Sequence, residues 1–243
     1  MPLVQSVARS LEILEALADG TELGLVEIAA RTGLAPSTAH RLLATLVARG
    51  YATRNLANGR YALGYKIAEL AGDRHERLRA LARPHLAIVQ ARTGETANLS
   101  ILASPNAIYI DQVDGDRAVR MLARIGAAVP AHASAAGKAM LAHAPAESVA
   151  ALPLPAFTAR TITTLAALER ELAAIRARGF AVDDEEHEAG VGCVAAAVLD
   201  HGGRAVAGLS VSAPIQRIRA SDPATLGTLL SAAAQAISHS LRT

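Results

Sequence analysis

Gly33-Leu34-Ala35-Pro36-Ser37-Thr38-Ala39-His40-Arg41-Leu42-Leu43-Ala44-Thr45-Leu46-Val47-Ala48-Arg49-Gly50 is the stretch that decides the fold of the N-terminal part of the chain. Gly33 can take the left-handed conformation of a tight turn, and Pro36 suits a first helical turn, where its missing N–H has no partner to lose. The spacing predicts a helix from Pro36 to Arg49 that buries Ala39, Leu42, Leu43, Leu46 and Val47. Its other face presents Thr38, Arg41, Thr45 and Arg49, and Gly50 punctuates its end.

Upstream, Leu25 to Thr32 reads as a short helix burying Ile28 and Ala29. Before it, Val4, Val7, Leu11, Leu14 and Ala18, joined by Ile13 and Leu17, predict a first helix ending near Gly20. Downstream, Tyr51 to Arg54 and Arg60 to Leu63 read as two short strands, reversed at Asn58-Gly59. Three helices and a hairpin in this order make a winged helix–turn–helix. Lys66 to about Arg79 follows as a charged helix with an Ile67, Leu70 and Leu78 stripe, suited to linking two domains. The expected division is 1–65 for the first domain, 66–80 for the linker helix and 81–243 for the second domain.

The 243 residues carry 24 basic and 22 acidic groups, a net charge of only +2. Residues 28–68, however, hold Arg31, Arg41, Arg49, Arg54, Arg60 and Lys66 and no carboxylate, so the rest of the chain has a net charge of −4. By itself that window is equally compatible with a solvated basic face. The helix order adds weight. Ser37, Thr38, His40 and Arg41 near the start of the third helix, with Thr45 one turn on, can donate to base edges, and Arg54 and Arg60 bracket a wing that would meet phosphates. Double-stranded DNA is the partner this predicts. With aromatic residues at 2% and no Trp, stacking platforms for single strands are disfavoured.

From about residue 80 the pattern alternates, giving an overall α+β chain. Helices are expected near 84–93, 134–143, 147–151, 165–178 and 223–241, and strands near 97–103, 107–113, 118–124, 192–200 and 205–212. The lone cysteine, Cys193, excludes an intrachain disulfide framework and a cysteine-rich zinc site. The N-terminus does not read as a signal peptide, and the uncharged run 223–241 is too polar for a bilayer span. A cytoplasmic protein with no membrane association and no cofactor is expected.

These residues resemble the isocitrate-lyase-regulator (IclR) family of bacterial transcriptional regulators. The resemblance rests on Ser6–Leu11, Gly33–Leu43, Tyr61–Gly64, Pro130–Ala139, Asp183–Glu186, Gly190–Ala196 and Gly208–Pro214, which fall in the family's order along nearly the whole chain. It implies a winged helix–turn–helix, a linker helix and a C-terminal GAF-like effector-binding domain. It also implies dimers, often paired into tetramers, on palindromic operators. One departure is Ala196-Ala197, where the family often has proline after the alanine.

By position, the family's effector pocket falls on Ala135, Ala136, Asp183, Cys193, Ser210 and Ser212, with Met121, Val129 and Val191 as the apolar wall. The chemistry suits a small organic acid. Ser134 to Gly137 opens a predicted helix whose first N–H groups favour an anion, and Ser210 and Ser212 share one face of a strand. Without the resemblance, Cys193 reads as core and the serines equally well as a solvent face.

Two other classes compete. An enzyme would use Cys193 as nucleophile, or the cluster Asp184, Glu185, Glu186, His187 and Glu188 to hold a metal. The zincin spacing, the esterase Gly-x-Ser-x-Gly and the phosphate-binding loop are all absent, so no catalytic residue and no metal ligand is expected. A ligand-binding or dimerisation module with a vestigial helix–turn–helix is the third reading.

Overall fold

The computed structural model describes residues 3–18, 21–71, 75–121 and 124–242, apart from the side chains of Ala68, Ala71 and Arg242. The chain divides into two compact units, Met1–Arg74 and His75–Thr243.

The first unit contains α1 (Gln5–Ala16), α2 (Leu25–Thr32), α3 (Pro36–Ala48), β1 (Ala52–Arg54), β2 (Tyr61–Leu63) and α4 (Tyr65–Ala71). The expected end of the first helix at Gly20 lies outside the described residues. Gly33 ends α2 at φ +67°, a conformation that only glycine adopts without strain, and Leu34 N–H returns to the Ala29 carbonyl at 3.1 Å. Pro36 then starts α3. Ile13 and Leu17 of the first helical segment, Ile28 of α2, Leu43 and Leu46 of α3, and Ala52 and Tyr61 of the hairpin close one small core. The antiparallel hairpin registers Arg54 opposite Tyr61, and Leu23 adds a bridge to Tyr61 on the wing's other side.

The second unit contains α5 (Glu76–Thr93), β3 (Thr96–Ala103), β4 (Asn106–Val113), β5 (Ala128–Pro130), α6 (Ala135–Leu141), α7 (Ala146–Ala150) and α8 (Leu165–Arg178). It continues with β6 (Ala181–Asp184), β7 (Val191–Leu199), β8 (Ala205–Pro214), α9 (Ile215–Ala220) and α10 (Pro223–Arg242). The strands form one antiparallel sheet in the order β5-β4-β3-β8-β7-β6. Both faces are covered. Val194, Ala196 and Val198 of β7 pack with α5 and α10, while Cys193 and Ala195 pack with the alanine-rich layer of α6 and α8. That is the period-two alternation of a strand between two apolar layers.

Three expectations are corrected. No helix boundary separates residue 79 from 84, because α5 runs through Pro84. The proline forgoes one backbone bond, but Leu78, Ala82, Leu86 and Val89 form a continuous buried stripe that holds the helix across it. Of the linker reading, Asp73 and Arg74 lie outside the described residues. The strand expected at 118–124 is not formed over its described part. There the Val119 and Met121 carbonyls are taken by the Arg217 guanidinium and the Thr96 hydroxyl, both at 2.8 Å, and the edge strand forms later, at β5. Finally, β6 and α9 were not expected, since four and six residues respectively give too little periodicity to read.

Candidate functional site

On the first unit, Ser37, His40, Arg41 and Thr45 are exposed on α3 and Thr38 is half-buried, while Ala39, Leu43 and Leu46 turn inward. Arg9 of α1 joins Thr38, Arg41 and Thr45 along one cleft, a contribution the helical pattern of α1 alone did not reveal. Arg54 is exposed at the wing, its guanidinium 5.7 Å from the Tyr61 ring centroid.

Arg60 behaves differently. It meets Glu27 at 2.7 Å and the Glu22 carbonyl at 3.0 Å, and Asn55 and Asn58 both donate to the Glu22 carboxylate at 2.9 Å. The wing is therefore braced onto the start of α2. The Asn58 and Asn55 amides hold the Glu22 carboxyl below its ordinary range. Lys66 pairs with Glu69 at 2.8 Å. Carboxylates flanking the 28–68 window thus pair with Arg60 and Lys66, which a linear charge count cannot show.

On the second unit, a cavity of about 340 Å³ lies against the sheet face turned toward α6. Of the nine residues expected there, seven line it: Met121, Val129, Ala136, Asp183, Val191, Cys193 and Ser212. Ser210 lies on the same sheet face, buried opposite Asn98, but does not reach the cavity wall, and Ala135 packs into the apolar layer with α8. Asn98, Tyr109, Arg124, His187 and Glu188 line the cavity and were not expected as effector contacts. Asn98 and Tyr109 lie in strands read only for hydrophobic alternation, and cross-strand register alone brings them to the site.

Register builds the polar floor. Cys193 lies opposite both Asp183 of β6 and Ser212 of β8. Its Sγ is 3.3 Å from Ser212 Oγ, which accepts from Asn98 Nδ2 at 3.4 Å. Burial pushes the Cys193 thiol up to about 12, so it stands as a neutral group, and no histidine is among its described hydrogen-bond partners. Burial also raises the Tyr109 phenol, with Cys193 and Asp183 close by. Asp183 accepts the Glu186 N–H at 2.7 Å, yet burial still lifts its carboxyl to about 7.

The rim is set by α6. Ser134 caps this helix, its Oγ accepting from Gly137 N–H at 3.3 Å and donating to the Pro130 carbonyl at 2.9 Å. Lys138 N–H bonds the Ser134 carbonyl, so the amides left at this turn are those of Ala135 and Ala136. A Cβ at Gly137 would come within 2.3 Å of the Ala131 backbone, so only glycine allows this close seating. Lys138, 1% exposed, ion-pairs with Glu186 and donates to the Val182 carbonyl at 2.7 Å, pinning β6 and the loop after it beneath the cavity.

The acidic cluster is engaged by bases. Asp184 pairs with Arg160 and Arg219, Glu185 with Arg219 at 2.8 Å, and Glu186 with Lys138. Among the described residues no group of three or more His, Cys, Asp or Glu side chains is placed to hold a metal ion. Nor is any helix among them long and apolar enough to cross a membrane.

Comparison with known proteins adds independent findings. Residues 6–56 match the family model described as the IclR helix-turn-helix domain, and residues 73–239 match that of the bacterial transcriptional regulator IclR C-terminal. The chain is 37% identical to the transcriptional regulator XynR of Escherichia coli K12, over 99% of this chain and 98% of that protein. It is 36% identical to the transcriptional repressor IclR of the same organism, over 96% and 89%. The crystal structure of the Thermotoga maritima IclR superposes with a TM-score of 0.79 at 32% identity, covering 99% of this chain and 100% of that one. An IclR homolog from Microbacterium hydrocarbonoxydans, complexed with 4-hydroxybenzoate, gives a TM-score of 0.80 at 31% identity, covering 97% and 98%. A helix–turn–helix unit, a sheet unit with a polar-floored cavity, and matches spanning both lead to one conclusion: the chain belongs to the IclR family of DNA-binding bacterial transcriptional regulators.

Proposed function

We propose that this regulator binds a palindromic operator as a dimer, or as a tetramer of paired dimers, and that a small organic acid in the second unit's cavity changes its operator affinity. The observation that carries this reading is the cavity itself: a half-open space with largely apolar walls and a few convergent polar groups, in a chain that also bears a helix–turn–helix. The complex of the Microbacterium homolog with 4-hydroxybenzoate supports an organic acid as the ligand class. Met121, Val129 and Val191 supply apolar wall, and Asp183, Cys193 and Ser212 supply hydrogen bonds. Ala136 gives room at the helix turn, and Ala135 and Ser210 support the wall from behind.

On the DNA side, Ser37, Thr38, His40, Arg41 and Thr45 face the major groove and Arg54 meets the backbone, while Arg60 braces the wing. The chain acts in the cytoplasm by binding rather than catalysis. A neutral buried thiol and an acidic cluster already paired with arginine and lysine favour this over the enzyme reading.

The test is binding to the intergenic DNA beside the chain's own gene across a salt series. A specific dimer gives a steep negative slope of log affinity against log salt and footprints in two half-sites one helical turn, or a multiple of it, apart. Weak binding to every duplex alike would leave only a ligand-binding module with a vestigial helix–turn–helix. The ligand half is tested by calorimetry with small acids, followed by operator titration. An acid that binds the cavity without altering operator affinity would refute the coupling, since a ligand shifts an equilibrium only by its differential affinity for the two states.

A further inference from the structure

A second and larger cleft, of about 730 Å³, lies on the α5–α10 side of the sheet, between the end of α5 and the first half of α10. It shares no lining residue with the cavity on the α6 side. Helical spacing sends Thr225, Thr228, Leu229 and Ala232 to one side of α10. Gly94 ends α5 at φ +69°, and the Asp116 N–H returns to the Gly94 carbonyl at 3.3 Å, so the chain brings Arg117 back beside Arg92 and Thr93.

Both guanidinium groups line the cleft and no carboxylate does. Arg92 is exposed and has no ion-pair partner among the described residues. Arg117 meets Glu95 through Nε at 2.8 Å, and the buried Glu95 is held on its other oxygen by Arg217, also at 2.8 Å. That pair orients Arg117 while leaving its terminal nitrogens for a ligand. Asp222, just before α10, is turned to its own helix end, where it accepts from the Ala224 and Thr225 N–H groups at 3.3 Å. Two converging guanidinium groups with no counter-charge in the lining fit a dianion. The hydroxyls narrow the rest of the ligand. Thr225 Oγ1 donates to Asp222 at 3.0 Å and Thr228 Oγ1 to the Ala224 carbonyl at 2.9 Å, so their protons are spent and only lone pairs remain. Lone pairs call for hydroxyl donors. Leu229 and Ala232 offer apolar surface to C–H groups, and with no aromatic side chain in the lining a nucleobase would find no stacking partner.

We infer that the α5–α10 cleft is a second ligand site, which takes the phosphate monoester of a small polyhydroxy compound: its phosphate on Arg92 and Arg117, its hydroxyls on Thr225 and Thr228. This site is independent of the effector reading of the α6-side cavity.

Calorimetry on the full chain with glycerol 3-phosphate, ribose 5-phosphate and glucose 6-phosphate tests it. The parent polyols remove the charge, methyl phosphate removes the hydroxyls, and succinate replaces the phosphate by two carboxylates. At least one of the three esters binds about tenfold tighter than its parent polyol, methyl phosphate and succinate. Arg92→Gln weakens that ester about tenfold, and Arg92→Lys, which keeps the charge but not the fork, recovers part of the loss. The inference is overturned if none of the esters binds, or if methyl phosphate or succinate binds as tightly. It is also overturned if the affinity survives Arg92→Gln, which would put the ester elsewhere on the chain. The wild-type order of affinities decides the matter should the variants fail to fold.

Discussion

In the helix–turn–helix unit, Ser37, His40 and Arg41 stand in water on the first turns of a single helix. In the sheet unit, Asn98, Asp183, Cys193 and Ser212 are withdrawn from water and arrive on four different strands. The first set is satisfied by solvent until a partner displaces it, and few interactions constrain it. The second set must be satisfied by the protein or by a ligand, and its members are correspondingly perturbed: Asp183 and Cys193 both shift upward for the same reason, burial. Ion pairs follow the same division. Arg60–Glu27 is half-exposed, whereas Lys138–Glu186 is almost fully enclosed.

The largest expected effect tests the enclosed side of that contrast. Lys138→Met strands the Glu186 carboxyl beneath the cavity and should lower the stability of the second unit by about 3 kcal/mol in denaturant unfolding. A loss under about 1 kcal/mol would mean that the buried pair behaves like a surface one.

The second effect is one of pH. Asp183 titrates near 7 in the folded chain and near its ordinary 3.8 when unfolded, so the native state holds a proton that the unfolded state has released. Stability should therefore fall as pH rises from about 4 to about 7 and level off above that. Asp183→Asn should flatten this slope and gain on the order of 2 kcal/mol on the wild type at pH 8, with no gain near pH 4. An unchanged slope in urea titrations would remove Asp183 as its source.

Next, Arg41→Ala should weaken operator binding about tenfold and non-specific binding less, as read by competition against random duplex. Equal losses would reassign Arg41 to phosphate positioning. The smallest effect is Arg60→Ala, which should cost at most about 1 kcal/mol of stability and less operator affinity than Arg41→Ala. If it costs as much affinity, Arg60 belongs on the DNA rather than in the wing brace.

The same contrast explains what could be read from the amino-acid order. A recognition helix is a local object: Gly33, Pro36 and the spacing of Leu42, Leu43 and Leu46 specify it within one segment, and its exposed residues follow from the helical period. The cavity is not local. Met121, Asp183, Cys193 and Ser212 were placed through family resemblance, while Asn98 and Tyr109 needed the antiparallel register, which no single strand encodes. The contacts of Arg60 with Glu22 and Glu27 were illegible for a related reason, since those partners lie more than thirty positions away. Pro84 misled in the opposite direction, where tertiary burial of one apolar stripe overrode a local helix breaker.

Because β8 is laddered to β3 on one side and β7 on the other, its two faces are chemically independent. Positions 207, 209, 211 and 213 belong to the α5–α10 layer, and 208, 210 and 212 face the α6 side. A one-residue insertion within β8 would swap the sets, driving serines into an apolar layer and valine and leucine into the cavity, so such changes are closed to the fold. Point substitutions at alternate positions remain open. New ligand preferences can therefore arise one even-numbered residue at a time on this strand without disturbing the layer behind it, and a redesign of the regulator's response would begin there.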